Sequence, residues 1–289
     1  MESTSPVPMV GFGTWKMENT DNLYKAVVEL GYRHILTGHY YENEDMIGQA
    51  LTKIFEETDI KREDLFISYK LWGTQMKDVE GALTNCLEKF NIDYLDLYMV
   101  HFPVAYELDE ESNPKQVKIP IHKVWENMEL MVEKGLTKQI GVSNFNVQSL
   151  LDMMTYAKII PQFNEIELHP YLTQEAMLRF LKKYKITPIG YCALGRSDPE
   201  KGINCEETIT EIATKYGKTN AQIAMRWGIQ RGYPVISKSS NFERLKLNID
   251  VFDFELTDEE MKTISSLNKN ERVVRGENLE NCLYDEIFA

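Results

Sequence analysis

The chain is 289 residues long, with 43% hydrophobic and 27% charged residues and a formal net charge of −13. That size suits two domains or one α/β barrel, the acidic balance excludes a general polyanion binder, which needs a basic face, and no run approaches the roughly 20 apolar residues that cross a bilayer. The opening MESTSPVPMV has no basic segment followed by a hydrophobic stretch, and Cys86, Cys192, Cys205 and Cys282 show no CxxC or Cys/His metal spacing, so the expectation is a cytoplasmic protein with free thiols, no metal, no membrane and no nucleic-acid partner.

Strand-like runs recur along the chain, in order MVGFGT (9–14), HILTG (34–38), LFISYK (65–70), LDLYMVH (95–101), QIGVSN (139–144), QFNEIE (162–167), TPIGYC (187–192) and VISKS (235–239). Between them lie amphipathic stretches such as NLYKAVVELG, NEDMIGQALTKIF, DVEGALTNCLEKF and VWENMELMVEKG. In the last, Val124, Met128, Leu130, Met131 and Val132 cluster near helical spacing and Gly135 is a natural stop. Strands alternating with helices predict a parallel sheet, and eight of them close a TIM barrel. An open doubly wound sheet is the competing architecture, but no GxGxxG follows the first strand and no linker divides the chain. The expectation is therefore one (β/α)8 domain over residues 1–289.

In such barrels the chemistry sits at the carboxyl ends of the strands. Read in order, those ends carry Thr14-Trp15-Lys16, then Gly38 to Glu44, Lys70-Leu71-Trp72, His101-Phe102-Pro103, Ser143-Asn144, Glu165 to His169, Tyr191 to Gly195, and Lys238 to Asn241. A tyrosine, a lysine and a histidine from adjacent strand ends are thus placed to meet over the barrel mouth.

The motifs GFGTWK (11–16), GYRHILTGHYYENE (31–44), KLWGT (70–74), LDLYMVHFP (95–103), IGVSNF (140–145), NEIELHPYL (164–172) and KSSNFERLKLNIDVFDFEL (238–256), in this order, resemble the aldo-keto reductases. The likeness covers nearly the whole chain; the KSSNFER segment and the tail look most like the yeast and plant sugar-reductase branch, and the N-terminus looks shorter than usual, which implies a reduced form of the hairpin that closes the barrel bottom. The resemblance implies a nicotinamide-dependent reductase of aldehydes or sugar carbonyls, acting as a monomer or weak dimer on a small-molecule carbonyl. It makes Tyr41 the general acid, Lys70 the group that tunes it, and His101 the donor that orients the carbonyl oxygen. The chemistry agrees: a carbonyl that accepts hydride needs a proton, and a nearby ammonium makes a phenol easier to ionise. Alone, Tyr41 would read as a rim hydroxyl and His101 as hydrogen-bonded structure; together they read as a site.

The resemblance further assigns cofactor binding to Thr14, Trp15, Ser143, Asn144, Glu165, Tyr191 and Leu194. It assigns the nucleotide end to Lys238, Ser239, Ser240, Asn241, Arg244 and Asn248. Two cations at a helix start suit the 2′-phosphate, so NADPH is expected over NADH. Trp15, Tyr40, Tyr41, Trp72, His101 and Phe102 would line the substrate cup, under a flexible loop at 104–120 with its acidic stretch in solvent.

Three positions depart from the family pattern. Leu36 stands where an aspartate pairs with the lysine, Glu165 where a glutamine holds the nicotinamide carboxamide, and Leu247 where many members carry an adenine-touching glutamate. A buried lysine without a counter-ion tends to lose its proton, which would weaken its effect on Tyr41; one that keeps its charge has a field no longer cancelled by an anion, which would favour the phenolate more. Leu36 thus predicts a weakened or retuned reductase, and together with Glu165 it admits a barrel that keeps cofactor as a redox sensor or structural partner. Glu165 swinging toward Lys70 would supply the missing charge.

Overall fold

In the computed structural model, which describes residues 7–195 and 202–274, the strands are β1 (Val10–Gly13), β2 (His34–Gly38), β3 (Phe66–Leu71), β4 (Leu95–Val100), β5 (Tyr106–Leu108), β6 (Pro114–Gln116), β7 (Thr137–Ser143), β8 (Phe163–Glu167), β9 (Thr187–Tyr191) and β10 (Val235–Ser237). Eight of them pair in parallel and close in the order β1-β10-β9-β8-β7-β4-β3-β2, a TIM-barrel fold as expected. The helices around it are α1 (Thr20–Val28), α2 (Glu44–Glu57), α3 (Val79–Phe90), α4 (Ile121–Glu133), α5 (Val147–Met153), α6 (Glu175–Tyr184), α7 (Glu207–Tyr216), α8 (Asn220–Gln230), α9 (Phe242–Ile249) and α10 (Asp258–Ser265). Side chains cap many of their starts: Asn19, Asp78, Asn146, Thr219, Asn241 and Thr257 each accept from a backbone N–H of the first turn.

The strands read as nearly continuous apolar runs because both faces are covered. Ile35, Ile67, Tyr69, Tyr98, Val100, Ile140, Val142 and Ile166 face outward and join helix residues such as Val27, Leu51, Leu83 and Trp125 in the main core. Each such aliphatic side chain contributes about 1.5–3 kcal/mol by leaving water. The alternate residues Leu36, Phe66, Leu97, Met99, Phe163, Ile189 and Ile236 point inward and plug the barrel. Above that plug the inward set turns polar, and this change of chemistry along one face makes the site. Leu36 therefore belongs to the apolar plug, with Tyr41 packed against it.

One expectation is corrected. Residues 104–120 are not simply a flexible loop: β5 and β6 pair antiparallel, from Tyr106 opposite Gln116 to Leu108 opposite Pro114. The hairpin is anchored by Tyr106, whose ring meets Trp72 edge-on at 6.0 Å. Gly73 permits this contact, since a Cβ there would lie 2.5 Å from the Tyr106 ring. The expected reduction of the N-terminal hairpin and the last part of the tail concern residues 1–6 and 275–289, outside the described residues.

Candidate active site

Tyr41 ends the 3-10 turn His39–Tyr41 that leaves β2, and the left-handed Glu42 (φ 51°) then turns the chain into α2. Asn43, at the helix start, donates to the Thr14 carbonyl at 2.7 Å and ties this turn to the end of β1. Register sets Gly38 beside Lys70, and Lys70 beside Met99, two residues before His101. Gly38 leaves room for the lysine stem: a Cβ there would sit 2.9 Å from the Lys70 Cβ. Lys70 Nζ donates to the Tyr41 hydroxyl at 2.8 Å, and the Tyr41 and His101 rings meet edge-on at 6.2 Å. The strand ends thus bring Tyr41, Lys70 and His101 together.

Lys70 reaches across the mouth from β3 to β8, where its Nζ lies 3.0 Å from Glu165 Oε1, with the two side chains 3% and 1% exposed. Glu165 therefore stands within the reach that the sequence required of it. Its second oxygen, Oε2, is buried with no hydrogen-bond partner among the described residues.

Beside Glu165, β7 and β9 present a small polar array. Ser143 Oγ donates to the Glu165 carbonyl at 3.0 Å, Asn144 Nδ2 donates to the His101 carbonyl at 3.1 Å, and the Tyr191 hydroxyl donates to Asn144 Oδ1 at 2.7 Å. Asn144 takes a left-handed backbone (φ 62°), which directs its side chain back across the strand ends. Thr14 Oγ1 and Thr37 Oγ1 are buried without partners among the described residues. Leu194 is half-buried at the end of this segment, just before residues 196–201, which lie outside the described chain.

On the aromatic side, Tyr40 lies against Trp72 at 4.5 Å, Trp72 meets His101 at 4.7 Å and His101 stacks on Phe102 at 5.2 Å. Trp15 stands outside this packed cluster, 43% exposed, with the Lys16 ammonium 4.7 Å above its ring. At the far end Asn241 caps α9 by accepting from the Arg244 N–H at 3.0 Å, and Ser239 Oγ accepts from the Asn241 N–H at 3.1 Å. Lys238, Ser240, Arg244 and Leu247 are exposed around this helix start, whereas Asn248 is buried.

Residues 9–269 match the sequence profile of the aldo/keto reductase family. The chain belongs to the aldo/keto reductase family. Among curated proteins it is 41% identical over 283 residues to aldose reductase B of Dictyostelium discoideum, covering 92% of this chain and 90% of that one. It is 36% identical over 292 residues to an NADP-dependent D-sorbitol-6-phosphate dehydrogenase of Malus domestica, covering 94% of each. Among solved structures it resembles an aldose reductase from Schistosoma japonicum, with a TM-score of 0.89 at 31% identity over 97% of this chain and 95% of that one.

In this aldo/keto reductase the protonation states follow from burial and the ion pair. Burial raises the Tyr41 phenol above its ordinary value and outweighs the lowering by Lys70, so the group stands protonated. The sequence-based expectation of an easily ionised phenol therefore holds only in the sign of the lysine's own effect. Burial alone would strip Lys70, but Glu165 and Tyr41 more than offset it and hold the ammonium charged. His101 is pushed well below its ordinary value by burial and then by Lys70, which leaves a neutral imidazole with one N–H to give.

Two contributors escaped the site read from the sequence. Tyr106 joins Trp72, Phe102 and Tyr40 in the aromatic wall, and its signal was hidden in a segment that reads as loop. Lys16 lies near enough to Lys238 for the two charges to interact: desolvation lowers the Lys238 pKa, Glu18 opposes that shift, and Lys16 lowers it further. That approach follows from the pairing of β1 with β10, the closure of the barrel, which joins residues more than two hundred positions apart.

Proposed function

We propose that the chain reduces aldehydes or sugar carbonyls to alcohols with NADPH, with Tyr41 as general acid. The observation that carries this reading is the 2.8 Å hydrogen bond from a buried, charged Lys70 to the Tyr41 hydroxyl, beside a neutral His101.

The residues present fit a nicotinamide cofactor. Ser143, Asn144 and Tyr191 form a polar array suited to an amide and a flat ring, and the unpartnered Thr14 Oγ1 and Glu165 Oε2 are acceptors ready for donors. Lys238 and Arg244 at the start of α9 suit a 2′-phosphate, and the name of the Malus relative carries the same cofactor. A reduced nicotinamide, when bound, supplies the hydride taken by the carbonyl carbon. Tyr41 passes its phenolic proton to the carbonyl oxygen as negative charge develops there. The phenolate left behind is stabilised by the Lys70 ammonium and is reprotonated from solvent. His101 orients the same oxygen through its N–H. Tyr40, Trp72 and Phe102, joined by Tyr106, hold the carbonyl group in a wall that excludes water.

The rival reading, a barrel that keeps cofactor without chemistry, was motivated by a lysine stranded opposite Leu36. Lys70 is not stranded, because Glu165 pairs it. The test follows NADPH oxidation with a panel of aldehydes, small sugars and dicarbonyls. Steady turnover is expected, falling by about 10²–10⁴ in Tyr41→Phe with NADPH binding retained. Tight NADPH binding with no turnover on any carbonyl, in the wild type, would sink the reductase and leave the binding-only barrel.

A further inference from the structure

The Lys70–Glu165 pair has a direction. Its positive end rises from β3 beside Tyr41 and His101, where the carbonyl would react. Its negative end lies on β8, the strand between β7 and β9 that carry Ser143, Asn144 and Tyr191. Ser143 and Glu165 are register partners, and the Glu165 carbonyl itself accepts from Ser143 Oγ at 3.0 Å. Leu36 gives Lys70 no counter-charge from β2, since it belongs to the apolar plug with Met99, Phe163 and Ile189. One oxygen of Glu165 is held by Lys70, and the other is buried and has no partner among the described residues. A buried carboxylate oxygen without a donor is costly, and a ligand that supplies a donor or a positive charge recovers that cost.

We propose that Glu165 makes this barrel favour the oxidised, cationic nicotinamide over the reduced, neutral one, by presenting the negative end of the Lys70 ion pair to the nicotinamide seat. The inference rests on the reading of that seat given above and deepens it. A nicotinamide ring carries a positive charge only in its oxidised form, so a carboxylate on the strand beneath the seat discriminates between the two by Coulomb attraction, in a site that water does not screen. Oε2 would accept from a bound carboxamide NH2 in either form, so that hydrogen bond would strengthen both and discriminate little. The discrimination comes from where the charge stands, not from how much there is. A carboxylate at position 36 would pair Lys70 equally well and keep the same net charge, yet it would stand on β2, on the far side of the lysine from β7, β8 and β9. By this argument Glu165 is a positioning residue for Lys70 and a discriminating one for the cofactor. Product release after reduction is then slow relative to NADPH release, and alcohol oxidation is favoured relative to a barrel with the carboxylate on β2.

The experiment measures dissociation constants for NADP+ and NADPH by quenching of tryptophan fluorescence in the wild type, Glu165→Gln, Glu165→Asp and the double variant Leu36→Asp/Glu165→Gln. The ratio of the NADP+ constant to the NADPH constant is expected to rise about 3- to 10-fold in Glu165→Gln and in the double variant. Glu165→Asp, which keeps the charge on β8, is expected to retain the wild-type ratio. A merely structural role would weaken both forms together and leave the ratio in place. A ratio within about twofold of wild type in the double variant, with both forms bound, overturns the inference. If Glu165→Gln does not fold because Lys70 has lost its partner, the double variant, in which Lys70 has one, decides alone. If the wild type binds neither form, the nicotinamide reading itself fails, which is a distinct result.

Discussion

At the residue scale the site turns on Leu36 and Glu165. An apolar residue at position 36 looks like the loss of a charge until the barrel is closed, when β8 brings a carboxylate to 3.0 Å from the Lys70 ammonium. Sequence alone supplied both substitutions but not their separation across the mouth, which depends on strand tilt and side-chain direction. The pairing changes what a simple restoration should do. Leu36→Asp by itself would put a second carboxylate into the apolar plug against a lysine that is already neutralised, so one buried negative charge stays uncompensated. The expected outcome is a loss of stability on the order of 3 kcal/mol with no gain in turnover. Adding Glu165→Gln should recover most of that loss, because one carboxylate again serves one ammonium. Urea unfolding of the single and double variants measures this; a single variant as stable as the wild type, or more active, would falsify the account.

At the scale of elements, α9 shows how a short stretch of sequence gathers positive charge at a helix start, where the proposed cofactor site ends. Asn241 caps its first turn, and Lys238 and Arg244 stand around the free N–H groups in a chain whose overall charge is −13. This local reversal of charge was legible because it sits within seven residues of sequence. Arg244→Ala is expected to raise KM for NADPH by about tenfold or more while leaving KM for NADH within about twofold, since only the former carries the 2′-phosphate. Equal losses for both cofactors would show that Arg244 acts on the helix instead. Asn241→Ala gives the control: it removes the cap, costs about 1 kcal/mol of stability and weakens both cofactors alike. The β5–β6 hairpin is the contrary case. Its strands are YEL and PKQ, three residues each, with charges and a proline, and no periodicity can develop over that length. What orders it is non-local, the Tyr106 ring against Trp72 and the space left by Gly73.

At the scale of the whole molecule, the barrel was legible because eight apolar runs alternated with amphipathic ones and each element agreed with its neighbours. The inward face was not, since runs buried on both sides hide which residues line the axis. That hidden face carries titratable groups from end to end, with Lys70, His101 and Glu165 at the mouth and His34 below the plug. His34 is wholly buried, its Nε2 lies 3.1 Å from Ser68 Oγ, and the Phe66 ring stands edge-on at 5.0 Å. Desolvation pushes its pKa from 6.5 down to about 4, with the Pro8 backbone and Asp96 opposing the shift. The unfolded chain therefore takes up a proton below pH 6.5 that the folded chain refuses until about pH 4, and stability must fall as the pH drops through that window. Fully developed, the loss from His34 amounts to about 3 kcal/mol. His101, lowered by burial and by Lys70, adds to the loss in the same direction. Among the buried carboxylates, Glu44 acts later: against burial, hydrogen bonds from His39 and Tyr69 hold it below its ordinary value of 4.5, so its contribution persists until the pH falls beneath that, whereas Glu165, raised by burial against the pull of Lys70, opposes the decline. Urea unfolding between pH 7.5 and 4.5 should thus show a decline that begins near pH 6.5, earlier than carboxylate protonation alone allows. His34→Gln should be less stable than wild type at pH 7.5 yet show a shallower decline below it. An unchanged slope in that variant would assign the acid lability to groups other than the histidine sealed beneath the plug.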